Sequence, residues 1–488
     1  MSPEEFRRLG HRTIDMIAEY YESIRDLPVY PKRTAHEVES AFEEELPREG
    51  QSPDSILDAW TEKILPNATH LGSPRYFGYV NGSGAMIGTL AEALAAAVNM
   101  NVGGWKPAPA ATEVERRTIR WIAEAIGYPA DCGGLFTSGG MMANFTALTA
   151  ALRNTAAYDM AESGLQSPER TGRFRLYMAD HEGHVSIKAA ADMTGIGRSA
   201  VVPIPSRDDL SMDPGELRRA IEGDLAAGEL PFCVVAQVGS INVGVIDPIE
   251  QIADICEEYG LWFHADGACG AFGAMLPEMR DQYRGMERAD SLTLDPHKWL
   301  YVPYECGAVL VREPERLRRA FSMSAPYLRG TIPTEYDGLD YYDYGPQMSR
   351  GFRALKVWMM IKQYGLDGYR KLLRQNNECA SHMHELVKKS PDFEVLHEPN
   401  LYIYSFRFVP AGMQGGRRDE AAESEIDRLN QRICDELQLS GEAFVMTSRI
   451  HGRVVIRISV CSHRTTPADI DRVFERMHAI GLANLGHV

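Results

Sequence analysis

Four short segments carry residues whose types and spacing could do chemistry. In LTLDPHKWLYV, residues 292–302, the amine of Lys298 follows a short alternating apolar run and sits beside Pro296, His297 and Trp299. A partly desolvated lysine has its pKa lowered and becomes a nucleophile that condenses with an aldehyde. In LWFHADGACG, residues 261–270, an apolar strand ends in His264 and Asp266 and then small residues. A buried carboxylate needs a cationic or hydrogen-bonded partner, so Asp266 predicts a positive group nearby. In TSGGMMANFTALTAALR, residues 137–153, Ser138, Gly139 and Gly140 lead into a helix whose apolar face includes Phe145, Leu148 and Leu152. Backbone amides at such a helix start can hold a phosphate. In ADHEGHVSI, residues 179–187, His181 and His184 are three apart, which suits metal ligation or one imidazole lying flat on a planar ligand.

Taken singly, each segment has a plainer reading. Asp266 can cap the next helix, Lys298 can bridge to a surface carboxylate, a glycine pair before a helix makes a tight turn, and a loop histidine can simply be hydrogen-bonded. No further metal-ligand pattern accompanies the histidines, which favours the flat imidazole. Neither GxGxxG nor GxxxxGK occurs, so neither a dinucleotide nor a nucleoside triphosphate is indicated. One ligand accounts for all four segments. Pyridoxal 5′-phosphate (PLP) has an aldehyde for Lys298, a ring nitrogen whose proton Asp266 would hold, a flat face for His184, and a phosphate for the turn from Ser138 to Met142.

The elements that must position these residues read as α/β. From about Tyr79 onward, apolar runs alternate with helical stretches, the signature of a mostly parallel sheet covered by helices. Strands are expected at Arg175–Ala179, Val201–Ile204, Phe232–Val238, Leu261–Ala265, Ser291–Leu294 and Ala308–Val311. In open parallel sheets ligands sit at the carboxyl ends of the strands, where the segments of Asp266, Lys298 and His184 fall. Helices are expected over Asp213–Ala227 and Asp247–Tyr259, each opening with an Asp at the N-cap and a Pro at the first helical position. After Arg350 a helix over Phe352–Tyr364 leads into a long helical stretch, followed by strands at Leu401–Phe408 and Val454–Val460 and a polar loop from Gly412 to Arg418. At the other end, Phe6, Leu9, Ile14, Ile17, Tyr21 and Ile24 draw an apolar stripe along one helix. A turn-rich passage from Leu27 to Pro53 follows, so the stripe is expected to pack on another domain or subunit. The expected organisation is an N-terminal helical arm (1–78), a large ligand-binding domain (79–350) and a small α+β C-terminal domain (351–488).

The totals narrow the classes further. With 44% hydrophobic residues in 488, the chain can build two or three substantial cores. A formal charge of −17 disfavours nucleic acid and anionic membranes as partners. No signal-like segment opens the chain and no apolar run is long enough to span a bilayer, so a cytoplasmic protein without membrane attachment is expected. Eight cysteines without a CxxC pair indicate neither a disulfide framework nor a zinc site.

With these residues assembled, the chain resembles the aromatic-L-amino-acid decarboxylases, the PLP-dependent group II decarboxylases of fold type I, the aspartate-aminotransferase-like fold. The resemblance runs from EFRRLG through YPKR, THLGSPRYFGY, PAATEVE, HADGACG and DPHKWL to RGFRALKVW. It implies that Lys298 carries the cofactor covalently, Asp266 pairs with the pyridine nitrogen, His184 stacks on the ring and Ala268 packs on its opposite face. It also implies that Ser240 lies close to the cofactor, that Gly140 and Met141 belong to the phosphate cup, and that Asp295 and His297 lie near the phosphate or the substrate carboxylate. In APYLRG, Tyr327 matches the tyrosine of a mobile loop that closes over the partner subunit's site and protonates the α-carbon; phenylalanine there goes with aldehyde-forming relatives. A homodimer is implied as well.

Several positions depart from the family pattern. Asp295 stands where animal members usually carry asparagine, and Met141 replaces a hydroxyl residue. Leu71, Val80, Asn101 and Gly103 stand where animal enzymes have larger groups around the substrate ring, implying a wider, more polar pocket walled by Tyr79 and Trp105. Ser349 matches the serine of phenol-preferring plant members, while the wider pocket would also admit tryptophan. The resulting expectation is decarboxylation of an aromatic L-amino acid to its amine and carbon dioxide. The rivals are oxidative deamination to an aldehyde, decarboxylation of a non-aromatic acid such as diaminobutyrate or glutamate, and a relative that binds PLP without turnover.

Overall fold

The computed structural model describes residues 1–323, 338–415 and 418–485. The chain forms two compact units, one of residues 80–378 with 399–404, the other of residues 1–79, 379–398 and 405–488.

The larger unit is built on a seven-stranded sheet ordered β1-β7-β6-β5-β4-β2-β3. The strands are β1 (Gly133–Thr137), β2 (Phe174–Ala179), β3 (Val201–Ile204), β4 (Leu230–Gln237), β5 (Trp262–Asp266), β6 (Ser291–Leu294) and β7 (Gly307–Val311). Neighbours from β3 to β6 run parallel, and β7 lies antiparallel to both β6 and β1. Six of these strands match the expected segments to within two residues. The seventh, β1, escaped the pattern because GGLFT opens with two glycines and shows no alternation. Its pairing with β7 supplies what its composition does not: a Cβ at Gly134 would lie 2.6 Å from the Val309 carbonyl. Leu135, Leu176, Val235, Trp262 and Val309 from the sheet bury against Ala147, Leu148 and Leu152 of the helix Gly140–Thr155, forming the unit's core.

Asp213 caps the helix Pro214–Ala226 as expected, accepting from the Gly215 and Glu216 amides at 2.7 and 3.2 Å. Asp247 does not repeat the motif. The helix Ile249–Tyr259 begins without a side-chain cap, and the Asp247 carboxylate turns inward to accept from Met212 N at 2.8 Å and Gln237 N at 2.7 Å. Two buried amides outcompeted a helix end because an unpaired buried N–H costs more than an uncapped, solvated one. The helix after Arg350 runs over Ala354–Lys389 and is interrupted at Gly365, where φ is 62°.

The smaller unit carries a four-stranded sheet ordered β10-β11-β9-β8, from β8 (Phe393–Val395), β9 (Ile403–Phe408), β10 (Met446–Ile450) and β11 (Arg453–Ser459). The N-terminal helix is Pro3–Ser23, of which only Leu9 is buried. Its Arg8 and Arg12 pair with Asp54 at 2.7 and 2.8 Å, on the short helix Pro53–Ala59. The turn-rich passage from Leu27 to Pro53 contains the helix Ala35–Ala41, which opens with a Thr34–Glu37 capping box.

Candidate active site

The parallel strands deliver their carboxyl ends to one edge of the sheet. Gln237 on β4 is level with Asp266 on β5, which is level with Thr293 on β6. Just beyond these ends come Ser240, Ala268 and Lys298, and β2 is followed by His184. Because β1 and β7 are antiparallel, with Thr137 opposite Gly307, the turn leading from β1 into the glycine-led helix opens on the same edge.

Lys298 is largely but not fully enclosed there, its side chain 14% exposed and its Nζ 3.0 Å from Asp295 Oδ2 and 3.6 Å from Cys269 Sγ. Burial acts to lower the amine's pKa, but Cys269 and the Asp295 carboxylate outweigh it and raise the amine above its usual range. The lowered pKa expected from desolvation alone is thus corrected: a partner three residues upstream reverses the sign. His297 is buried; its Nδ1 accepts from Cys306 N at 3.1 Å, its Nε2 lies 3.6 Å from Asp295 Oδ2, and its ring packs on Tyr304 at 4.4 Å.

Asp266 is 4% exposed. Its Oδ2 accepts from Asn144 Nδ2 at 3.0 Å and its Oδ1 from Ala268 N at 3.3 Å. His184 forms the N-cap of the helix Val185–Met193, with Nδ1 2.7 Å from Ser186 Oγ. Burial lowers its pKa, so the ring is neutral at physiological pH. His181, three residues before it, instead turns toward Asp180 at 3.5 Å. Ser240 is fully buried, its Oγ accepting from Val245 N at 3.2 Å.

Asn144 was not singled out from the sequence, although its signal was present. It is a polar residue one turn into a helix that is buried from Ala143 to Leu152 except at Phe145. Cys269, beside the lysine, was missed because a small residue after HADGA reads as packing.

Among the residues assigned to the substrate pocket, Val80, Asn101, Gly103 and Ser349 belong to the larger unit and Leu71 and Tyr79 to the smaller one. Leu71 packs against the Val29, Tyr76 and Phe444 cluster, and Tyr79 is 53% exposed. Asn101 is a brace: its Oδ1 accepts from Gly103 N at 3.1 Å and Arg350 N at 3.0 Å. Gly103 leaves no open space either, because a Cβ there would lie 2.0 Å from the Met348 carbonyl. A wider pocket therefore does not follow from that glycine, which instead permits close backbone approach. Ser349 is exposed between these contacts. Trp105 N donates to Asp340 Oδ1 at 2.8 Å. Tyr327 lies outside the described residues.

The residues present fit PLP. The helix Gly140–Thr155 starts from Gly139 with no side-chain cap, leaving the amides of its first turn available to an anion. A Cβ at Gly140 would come within 2.8 Å of Asp295 Oδ2 and 3.4 Å of Ala268 Cβ, and one at Gly307 within 2.5 Å of Gly139 Cα. The cup is thus lined by backbone. A largely enclosed amine, a buried carboxylate and a neutral imidazole open on the same edge, which is the donor set an aldehyde, a pyridine nitrogen and a planar ring require.

A family model described as the pyridoxal-dependent decarboxylase conserved domain matches residues 35–409. An aromatic-L-amino-acid decarboxylase of Bacillus atrophaeus is 29% identical over 480 residues, covering 98% of this chain and 96% of that protein. A tyrosine decarboxylase of Oryza sativa subsp. japonica is 32% identical over 477 residues, covering 95% and 88%. The crystal structure of Oryza sativa TDC with PLP and tryptamine superposes with a TM-score of 0.91 at 26% identity, covering 99% of each chain.

Proposed function

Because the chain belongs to the pyridoxal-dependent decarboxylase family, and is by that membership a PLP-dependent carboxy-lyase, we propose that it converts an aromatic L-amino acid to its amine and carbon dioxide. The observation that carries this reading is the joint opening of Lys298, Asp266 and the uncapped glycine-led helix on one sheet edge. Relatives named for aromatic amino acids, across nearly the whole chain, support the substrate class.

When bound, PLP supplies an electron sink for the pair released as the bond to the carboxylate carbon breaks. The protein's residues do the rest. Lys298 would tether the cofactor, with Asp295 as the countercharge of the amine. Asp266, oriented by two donors, would hold the proton on the pyridine nitrogen. His184 and Ala268 would flank the ring, and the Gly140–Met141 turn, with Ser240, would secure the phosphate end. His297 and Asp295 bound the side where the substrate carboxylate enters. Val80, Asn101, Gly103 and Ser349 shape the substrate pocket, and Tyr327 protonates the α-carbon.

We further propose a homodimer. On the helix Met86–Val98, Met86, Leu90, Leu94 and Val98 are 54, 44, 53 and 56% exposed, an apolar stripe four residues apart that water disfavours and a second copy would cover. The division into an arm (1–78), a PLP-binding domain (79–350) and a small domain (351–488), and a cytoplasmic location, belong to the same reading. Eight free, buried cysteines suit a reducing compartment.

The test incubates purified protein and PLP with L-tyrosine, L-DOPA, L-phenylalanine and L-tryptophan and measures amine and carbon dioxide. Equimolar amine and carbon dioxide, lost in Lys298→Ala, is expected. Release of peroxide and ammonia would replace the reading with an aldehyde-forming one, and inactivity with every L-amino acid would remove it.

A further inference from the structure

We propose that Asn144 is a positioning residue, locking Asp266 and His184 into one directional hydrogen-bond chain whose sense is set by the indole of Trp262; the inference rests on the site assigned above. The chain runs through four side chains before it reaches the carboxylate. Trp262 Nε1 is 2.8 Å from Ser291 Oγ, which is 2.8 Å from His264 Nδ1. His264 Nε2 is 3.0 Å from Asn144 Oδ1. Asn144 Nδ2 is 3.0 Å from Asp266 Oδ2 and 2.8 Å from Ser186 Oγ, and Ser186 Oγ is 2.7 Å from His184 Nδ1.

The direction follows from the donor and acceptor roles along the chain together with the neutral state of His264. An indole N–H only donates, so Ser291 Oγ accepts there, and the hydroxyl's own hydrogen is left for His264 Nδ1. Burial holds His264 down to about 4, so the ring is neutral and its single hydrogen is on Nε2. That hydrogen goes to Asn144 Oδ1, which turns the amide nitrogen, with two hydrogens, toward Asp266 and Ser186. Ser186 Oγ then accepts from Asn144 and donates to His184 Nδ1. The backbone supplies an independent check, since Ser186 N also donates to His184 Nδ1, at 3.3 Å. The far end agrees as well: a flipped amide would set its oxygen against the Asp266 carboxylate, and a reversed His264 would leave Ser291 with two donors and no acceptor. His184 therefore carries its hydrogen on Nε2, and Asp266 keeps a fixed donor on Oδ2. One amide thus holds both the carboxylate meant for the ring nitrogen and the imidazole meant for the ring face.

Long-range proton–nitrogen NMR of the full-length protein with 15N-histidine, without and with PLP, reads the tautomers directly, with His184→Gln and His264→Gln assigning the signals. Both rings are expected as Nε2–H tautomers before PLP is added. In Asn144→Leu, which keeps the branched shape and removes the amide, PLP binding is expected to weaken about tenfold, the scale of one lost hydrogen bond to a charged group. In the same variant kcat falls with KM for the amino acid little changed. An Nδ1–H tautomer at His184, or an Asn144→Leu protein with wild-type PLP affinity and kcat, would overturn the proposal. Should Asn144→Leu fail to fold, the wild-type spectrum still decides. Borohydride labelling of Lys298 keeps the two readings apart: a labelled lysine with the wrong tautomers sinks only the chain, and correct tautomers without a label sink the PLP assignment instead.

Discussion

At the scale of single residues, charge placement around Lys298 is the controlling feature. Desolvation alone would make the amine nucleophilic, yet Cys269 and Asp295, 3.6 and 3.0 Å away, raise its pKa above the usual lysine range. A lysine whose folded-state pKa is raised gains stability that is complete below its unfolded pKa and lost only as pH climbs through the folded value, so this pair persists through the neutral range. Asp295→Asn should lower the amine's pKa, and each unit of lowering raises the free-amine fraction about tenfold at neutral pH. Capture of pyridoxal, which lacks the phosphate and so removes any repulsion at the cup, should therefore be several-fold faster in Asp295→Asn, followed by absorbance in the cofactor-free protein. An equal or slower rate would mean that Asp295 does not control the amine.

At the scale of elements, side chains and glycines join segments that local pattern treats separately. Asp247 ties the Met212 segment to the end of β4 through two buried amides. Asp247→Ala leaves both donors unpaired and should cost about 2–4 kcal/mol in urea unfolding. Burial raises the Asp247 pKa to about 6 despite the two amides, from a usual 3.8. A raised carboxyl stabilises most below its unfolded pKa and loses that contribution as pH rises through the folded value. The deficit should accordingly be larger near about pH 5 than near about pH 8. Asn101 and Gly103 show the same logic at the pocket, where one brace and one missing Cβ let two backbone segments meet. Arg350, buried, anchors that junction by donating to Val102 O at 3.1 Å and Phe136 O at 2.8 Å and pairing with Glu115.

At the scale of the molecule, the proposed dimer rests on the exposed stripe of Met86–Val98. Leu90→Asp with Leu94→Asp should shift the protein from two copies to one in light scattering, because burying two carboxylates in an apolar contact is costly unless they are paired. A wild-type protein that scatters as a monomer at micromolar concentration would count against the dimer. The formal charge of −17 leaves association to such local patches.

Period-two apolar runs, an Asp–Pro helix start and the residue types in DPHKW, HADGA and TSGG are properties of neighbours along the chain, so six strands of the large sheet, the helix Pro214–Ala226 and the PLP-type donor set were legible before any folding. Partners far apart in the chain were not. Asn144 and Asp266 are 122 positions apart, and nothing local to either announces the other. The inward turn of Asp247, the raised amine of Lys298 and the reason for a glycine at 103 likewise depend on which groups packing brings within about 3 Å, the range over which hydrogen bonds and close charges act. Only the tertiary structure supplies those distances.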